Sequence, residues 1–191
     1  MELKNHLEIG WNSFLKYIGP ALLVTFVHLV VAVFSLGILA PVTSAGYFHS
    51  LLRAQRENRA PEVKDLFAHM SLFLPLLLFG VLAFCAVTIG FVLLVLPGFA
   101  VMLLLVFSCL YLMPLMTDKK MGLYAALQSS WAMAVAQPII DHVVIAIAYI
   151  ALISVGSSLP FVILFAQPLA TFIVVSFYQE RLGVLKEVVP R

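Results

Sequence analysis

Charge is what this sequence has least of. Of 191 residues only 10% are Asp, Glu, Lys or Arg, while 63% are hydrophobic, and the mean hydropathy is +1.11. A water-soluble domain carries about a quarter charged residues. One as apolar as this would expose large greasy patches. The shortage therefore points to lipid as the solvent. The formal net charge of +2 gives no electrostatic case for nucleic acid.

Cysteine is almost as scarce. Cys85 and Cys109 stand alone inside apolar runs, with no CxxC and no Cys/His cluster, which argues against a zinc site or a disulfide framework. They flank Pro97-Gly98 by about twelve residues each, a spacing that allows contact across a hairpin but fits two small apolar fillers equally well. Also missing are HExxH, GxSxG, GxxxxGK[ST] and GxGxxG, the short signatures of metalloprotease, hydrolase, P-loop and dinucleotide chemistry. No cofactor is implied. Cleavage after the small residues "TSA" (43–45) is disfavoured, because the apolar run before it is longer than a signal-peptide core and is preceded by Glu2 and Glu8.

What is present is length and apolarity in blocks. Residues 1–18 read as an amphipathic interfacial helix, with Leu3, Leu7, Trp11, Phe14, Leu15 and Ile18 on one side and Glu2, Lys4, Asn5, Glu8, Asn12 and Lys16 on the other. Residues 19–191 read as a single polytopic membrane domain. Its expected spans are about 20–40, 72–96, 98–116, 139–158 and 160–178, with tight turns at Leu96-Pro97-Gly98 and at "GSSLP" (156–160). All are helical, because lipid leaves backbone groups no other partner. Ser35, Gly37, Pro41 and Gly46 allow a second reading of the start, in which 20–52 is a re-entrant hairpin. The fold class is thus an all-α integral membrane bundle of about five transmembrane helices, six with the re-entrant variant.

Charge then sets orientation. Four Lys or Arg lie in 41–71, Lys119 and Lys120 lie in 117–137, and Arg181, Lys186 and Arg191 lie in the tail, nine of the eleven in all. The positive-inside rule makes the loops 41–71 and 117–137 and the C-terminus cytoplasmic. Five spans leave the N-terminus outside; the hairpin variant brings it inside with all eleven in agreement. Seven charged residues crowd into Arg53–Asp65. From Pro61, the spacing of Val63, Leu66, Phe67 and Met70 predicts an amphipathic helix, and the preceding "GYFHSLLRAQREN" predicts another ending near Asn58. Arg53, Arg56, Arg59, Lys64, Lys119 and Lys120 are the candidate contacts to lipid headgroups or to a partner. A weak parallel repeat (charged elbow, span, Leu-Pro turn, span) spans 61–116 and 118–178.

Few polar groups fall inside the spans, and each has a functional and a structural reading. Asp141 and His142, one turn into the fourth span, suit a proton relay or cation site, or simply a wetted helix start; adjacent residues point about 100° apart, so they are not a ready-made pair. His28 suits a proton or metal group, or a neutral hydrogen-bonded histidine. Gln167 and Thr171, beside Pro168 and continued by Tyr178, suit a cavity lining or interhelical glue. The expected function is a non-enzymatic integral membrane protein that binds lipid, a partner protein or itself. A transporter or channel subunit is the alternative, and an intramembrane enzyme on a lipid-linked substrate the third.

The stretches "ILAPVTSAGYFHSLLRAQRENRAPEVKDLF" and "LPGFAVMLLLVFSCLYLMPLMTDKKMGLYAALQSSWAM" together resemble a broad group of bacterial inner-membrane proteins. These are similar to the membrane portion of some glycerophosphoryl diester phosphodiesterases. The resemblance spans about residues 10–180 and is carried by Gly46, Asp65, Phe67, Pro97, Gly98, Asp118, Ala126 and Ser130. It implies a multi-pass architecture, often of six spans, in a bacterial inner membrane. The phosphodiesterase catalytic domain has no counterpart here, so the resemblance implies no activity.

Overall fold

A computed structural model of the chain describes residues 3–136, 138–159 and 161–188. Glu2, Pro160 and Arg191, which entered the reading above, lie outside them. All regular structure among the described residues is helical, in nine α-helices. They are α1 (Leu3–Lys16), α2 (Ile18–Phe34), α3 (Ala40–Glu57), α4 (Phe73–Leu93), α5 (Val95–Cys109), α6 (Leu112–Asp118), α7 (Leu123–Val135), α8 (Ile139–Ser158) and α9 (Ile163–Val188). Four stretches are long and apolar enough to cross a membrane: Val63–Leu93, Val95–Asp118, Ile139–Ser157 and Ile163–Gly183.

The chain starts with a corner. α1 and α2 meet at Tyr17 at 87°, with Pro20 in the first turn of α2, where its missing N–H costs nothing. α2 stops at Ser35. Leu36 and Gly37 take positive φ values of 51° and 82° and reverse the chain, and Pro41 then opens α3. The region 20–40 is therefore not one helix, and α2 and α3 form a helical hairpin. α3 ends at Asn58, a left-handed cap with φ 54°, one of the few non-glycine residues at home there.

The segment after α3 departs from expectation. Instead of an α-helix from Pro61, it makes two short 3₁₀ turns, Val63–Phe67 and Met70–Leu72. Ten residues are too few to sustain a helix on propensity alone, and tertiary contacts decide the shape. The carbonyls of Asp65 and Leu66 rest directly on Gly46 of α3, where any Cβ would overlap them. Only glycine admits so close an approach.

α4 and α5 pair as a second hairpin. Its break is at the extended Leu94, not at Leu96-Pro97-Gly98; Pro97 instead sits in the first turn of α5, which suits its fixed φ. Gly90 and Gly98 let the two helices nearly touch, a Cβ on Gly90 falling 2.9 Å from the Gly98 Cα. After α6, the expected loop 117–137 contains α7, which runs back along α5 and α6. α8 and α9 make a third hairpin that closes on Gly156 against Ala166.

The three hairpins share a direction. Their common base gathers α1, the 58–72 segment, α6, α7 and the second half of α9. The opposite tips are apolar and exposed, and Val33 and Phe34 of α2 share a cleft there with Phe161, just before α9, and Leu164 in its first turn. α9 is the axis of the bundle: Phe172, Val174, Val175, Phe177 and Tyr178 are all buried, and α1, α2, α3, α7 and α8 pack around it.

Candidate functional site

The polar chemistry concentrates at the base, in four ties. Asp118, the last residue of α6, accepts from Arg56 Nη1 at 2.6 Å and Nη2 at 3.3 Å, and from the Tyr178 hydroxyl at 3.1 Å. Lys119 adds an ion pair at 3.4 Å. One carboxylate thus joins α3, α6 and α9, and a two-pronged guanidinium contact fixes its orientation as well as its charge.

The second tie is the buried Asp65. Its oxygens accept from Ser50 at 2.8 Å and from Arg59 at 3.1 Å. Arg59 also pairs with Glu62, which holds Lys64 at 2.5 Å. Lys64 and then Arg59 hold the Glu62 carboxyl below its ordinary range.

The third tie seats α1 on α9. His6 is 1% exposed; its Nε2 lies 2.6 Å from Glu180 Oε2 and its Nδ1 2.8 Å from Ser176 Oγ. The carboxylate can only accept, so Nε2 carries a proton. Serine, histidine and glutamate stand in sequence here, but Ser176 is 4% exposed beneath α1, and the contact acts as a clasp. In the fourth tie, the buried Arg181 donates at 2.7 Å to the carbonyls of Ala136 and Pro138, the residues that end α7 and open α8.

The groups read from the spans are dispersed among different joints. His142 donates from Nε2 to the Phe107 carbonyl at 2.8 Å, and its Nδ1 faces the Tyr111 hydroxyl at 3.1 Å. A carbonyl only accepts, so the ring is Nε2-protonated and Nδ1 accepts from Tyr111. Asp141 is half-exposed on another side of α8, in its first turn, where the helix dipole favours an anion. His28 meets Thr43 at 3.1 Å and stacks on Tyr47 at 5.4 Å. Tyr47 bonds Thr25 at 2.8 Å, so these groups form a polar seam inside the α2–α3 hairpin. Thr171 returns its hydroxyl to the Gln167 carbonyl of its own helix at 2.9 Å, and Gln167 is half-buried.

The basic candidates are mostly engaged within the chain. Arg53 pairs with Glu57 at 2.8 Å. Arg56, Arg59, Lys64 and Lys119 take part in the ties above, and Lys120 is exposed at φ 52°. The thiols of Cys85, exposed on α4, and Cys109, half-buried, are both free. Among the described residues no group of three or more His, Cys, Asp or Glu is placed to hold a metal ion.

One contact is unresolved in hydrogen bonding. His49 of α3 and His69 of the return segment meet edge to face at 4.6 Å, and His49 Nδ1 and His69 Nε2 are buried without a partner.

A cavity of about 280 Å³ lies between α3, α5 and α8, with Ser44, Phe48, Cys109, Met113 and Tyr149 among its walls. His6, Tyr111, Arg181 and the Ser176–Glu180 pair were not singled out in the sequence. The legible signal was the i, i+4 spacing of Ser176 and Glu180, which puts them on one face of α9. Comparisons with family models, curated proteins and solved structures find no match to this chain. Several positions behind the resemblance are joints: Gly46 of α3 against Asp65 of the return segment, and Asp118 at the base. Ser130 of α7 donates to the Ser108 carbonyl at 2.6 Å.

Proposed function

We propose that the protein is a small, non-enzymatic integral membrane protein that acts by binding lipid, with further apolar surface for a partner or a second copy. The observation that carries this reading is the division of α1 into three faces. His6, Gly10 and Phe14 are buried against the bundle. Leu7, Trp11 and Leu15 form an exposed apolar stripe, and Lys4, Glu8 and Lys16 are exposed beside it. A helix that is already docked and still presents such a stripe, at 87° to the helix after it, suits the headgroup plane, with its apolar stripe toward the acyl chains.

The same reading counts the α2–α3 hairpin as entering and leaving the membrane, which gives six traversals with α4, α5–α6, α8 and α9. α1 and the end of α9 then share one side with the basic residues. By the positive-inside rule that side is cytoplasmic, and the resemblance suggests a bacterial inner membrane. Native mass spectrometry of the protein extracted with its surrounding lipid tests this. Bound phospholipid carried through detergent removal is the expected result; bare protein with no retained lipid contradicts it.

The cavity between α3, α5 and α8 favours a second reading, a transport subunit. It requires that Tyr149→Phe, or replacement of Asp141, His142 or Gln167, abolish flux in vesicles while folded protein remains. Unchanged flux in all four ends it.

A further inference from the structure

We infer that the pocket between α1 and the end of α3 is a subsite for the phosphate of a phospholipid headgroup. This rests on the lipid-binding reading and names where a headgroup sits. The pocket encloses about 250 Å³, and its polar lining is Asn12, Ser13 and Lys16 from α1 with Gln55 and Asn58 from α3. The Tyr17 ring forms one wall, and no Asp or Glu lines the space. A polar pocket with one cation and no carboxylate suits an anion.

Its donors are partly committed and partly free. Gln55 is spent: its amide nitrogen bonds Ser13 Oγ at 3.2 Å and the Phe172 carbonyl at 3.0 Å, and its oxygen accepts from Gln179 at 3.2 Å. That holds the two sides of the pocket in place. Lys16 Nζ donates to Asn58 Oδ1 at 2.8 Å and lies 5.1 Å from the Tyr17 ring centroid. An ammonium has three N–H groups, so two remain for a ligand. With its oxygen turned to Lys16, Asn58 leaves its amide N–H pair free, and Asn12 adds another amide. A phosphodiester offers two charged oxygens that match one ammonium flanked by amides.

Location supplies the rest. The exposed stripe with Trp11 runs along the same helix, one side round from the pocket, and indole rings settle at headgroup depth. The expected basic contacts, Arg56 and Arg59, are held by Asp118, Glu62 and Asp65. Lys16 is held by a neutral amide and an aromatic face, with no carboxylate paired to it, so its ammonium is open to an anionic ligand.

The test uses the full chain in mild detergent, titrated with phosphatidylglycerol and read by native mass spectrometry. Wild type should hold one lipid through detergent removal. Lys16→Met keeps the apolar stem and should weaken binding roughly tenfold, while Lys16→Arg should retain it. Asn58→Gly suits the left-handed backbone at that position and should weaken binding several-fold at unchanged melting temperature, a second variant that leaves the Lys16 charge in place. If Lys16→Met and Asn58→Gly bind as tightly as wild type, the subsite is refuted while lipid binding elsewhere stands. If wild type holds no lipid, both readings fall. Inorganic phosphate that displaces the lipid at equal concentration would identify a free-phosphate pocket and overturn the lipid assignment.

Discussion

α4 and α9 are both long apolar helices, and they invert the usual relation between hydropathy and burial. The most apolar eighteen-residue window of the stretch containing α4 has a mean hydropathy of 2.7 and is 11% buried, whereas that of α9 has 1.2 and is 61% buried. In water the greasier helix would be the core. In lipid the greasy helix faces the solvent, and the helix with Ser, Thr, Tyr, Gln and Arg among its apolar residues is the one that needs neighbours. No charged residue lies between Asp65 and Asp118, so the α4–α5 hairpin has nothing to pair and little to bury. α9 carries Thr171, Ser176, Tyr178, Glu180 and Arg181, and most of these reach another element.

The comparison can be broken by size. The largest expected effect is Gly46→Val, which drives a side chain into backbone carbonyls that have nowhere to go; a loss of about 3 kcal/mol or failure to fold is expected, read by thermal unfolding in detergent. Val174→Phe on α9, where wild type is 0% exposed, should cost about 2 kcal/mol by the same mechanism. Asp118→Asn keeps the shape but strips the charge that holds Arg56, and should cost on the order of 1–2 kcal/mol, less than for a fully sealed pair because water reaches the guanidinium.

The smallest effect belongs to Leu82→Phe on α4. At 69% exposed it should leave the melting temperature within error, the counterpart of Val174→Phe.

Much of the architecture was legible because lipid narrows the choices. Apolar length and Lys/Arg distribution mark out the late spans and the elbows, and Pro41 and Gly37 flagged the α2–α3 reversal as one of two readings. The return segment was not legible. Val63, Leu66, Phe67 and Met70 have helical spacing, yet the close approach to Gly46 and the Ser50–Asp65–Arg59 bonds impose 3₁₀ turns, and these are contacts between residues far apart in sequence or context. α7 was missed because its residues sit in a stretch bounded by Lys119, Lys120 and Pro138 that reads as a loop. Polar groups in spans were correctly picked as unusual, but their partners (Tyr111 and Phe107 for His142, Thr43 for His28) are fixed only by packing. The pocket at Lys16 depends on Asn58, forty-two positions away, and no local pattern announces it.

The most direct measurement is peptide-by-peptide crosslinking of the wild-type protein in bilayers made with phospholipids whose acyl chains release a carbene on illumination. The account predicts heavy labelling across Leu74–Leu104, where Leu82, Phe84, Val92 and Leu103 are exposed. It predicts almost none across Phe172–Tyr178. Equal labelling of the two regions, or stronger labelling of α9, would contradict the inverted packing on which the account rests.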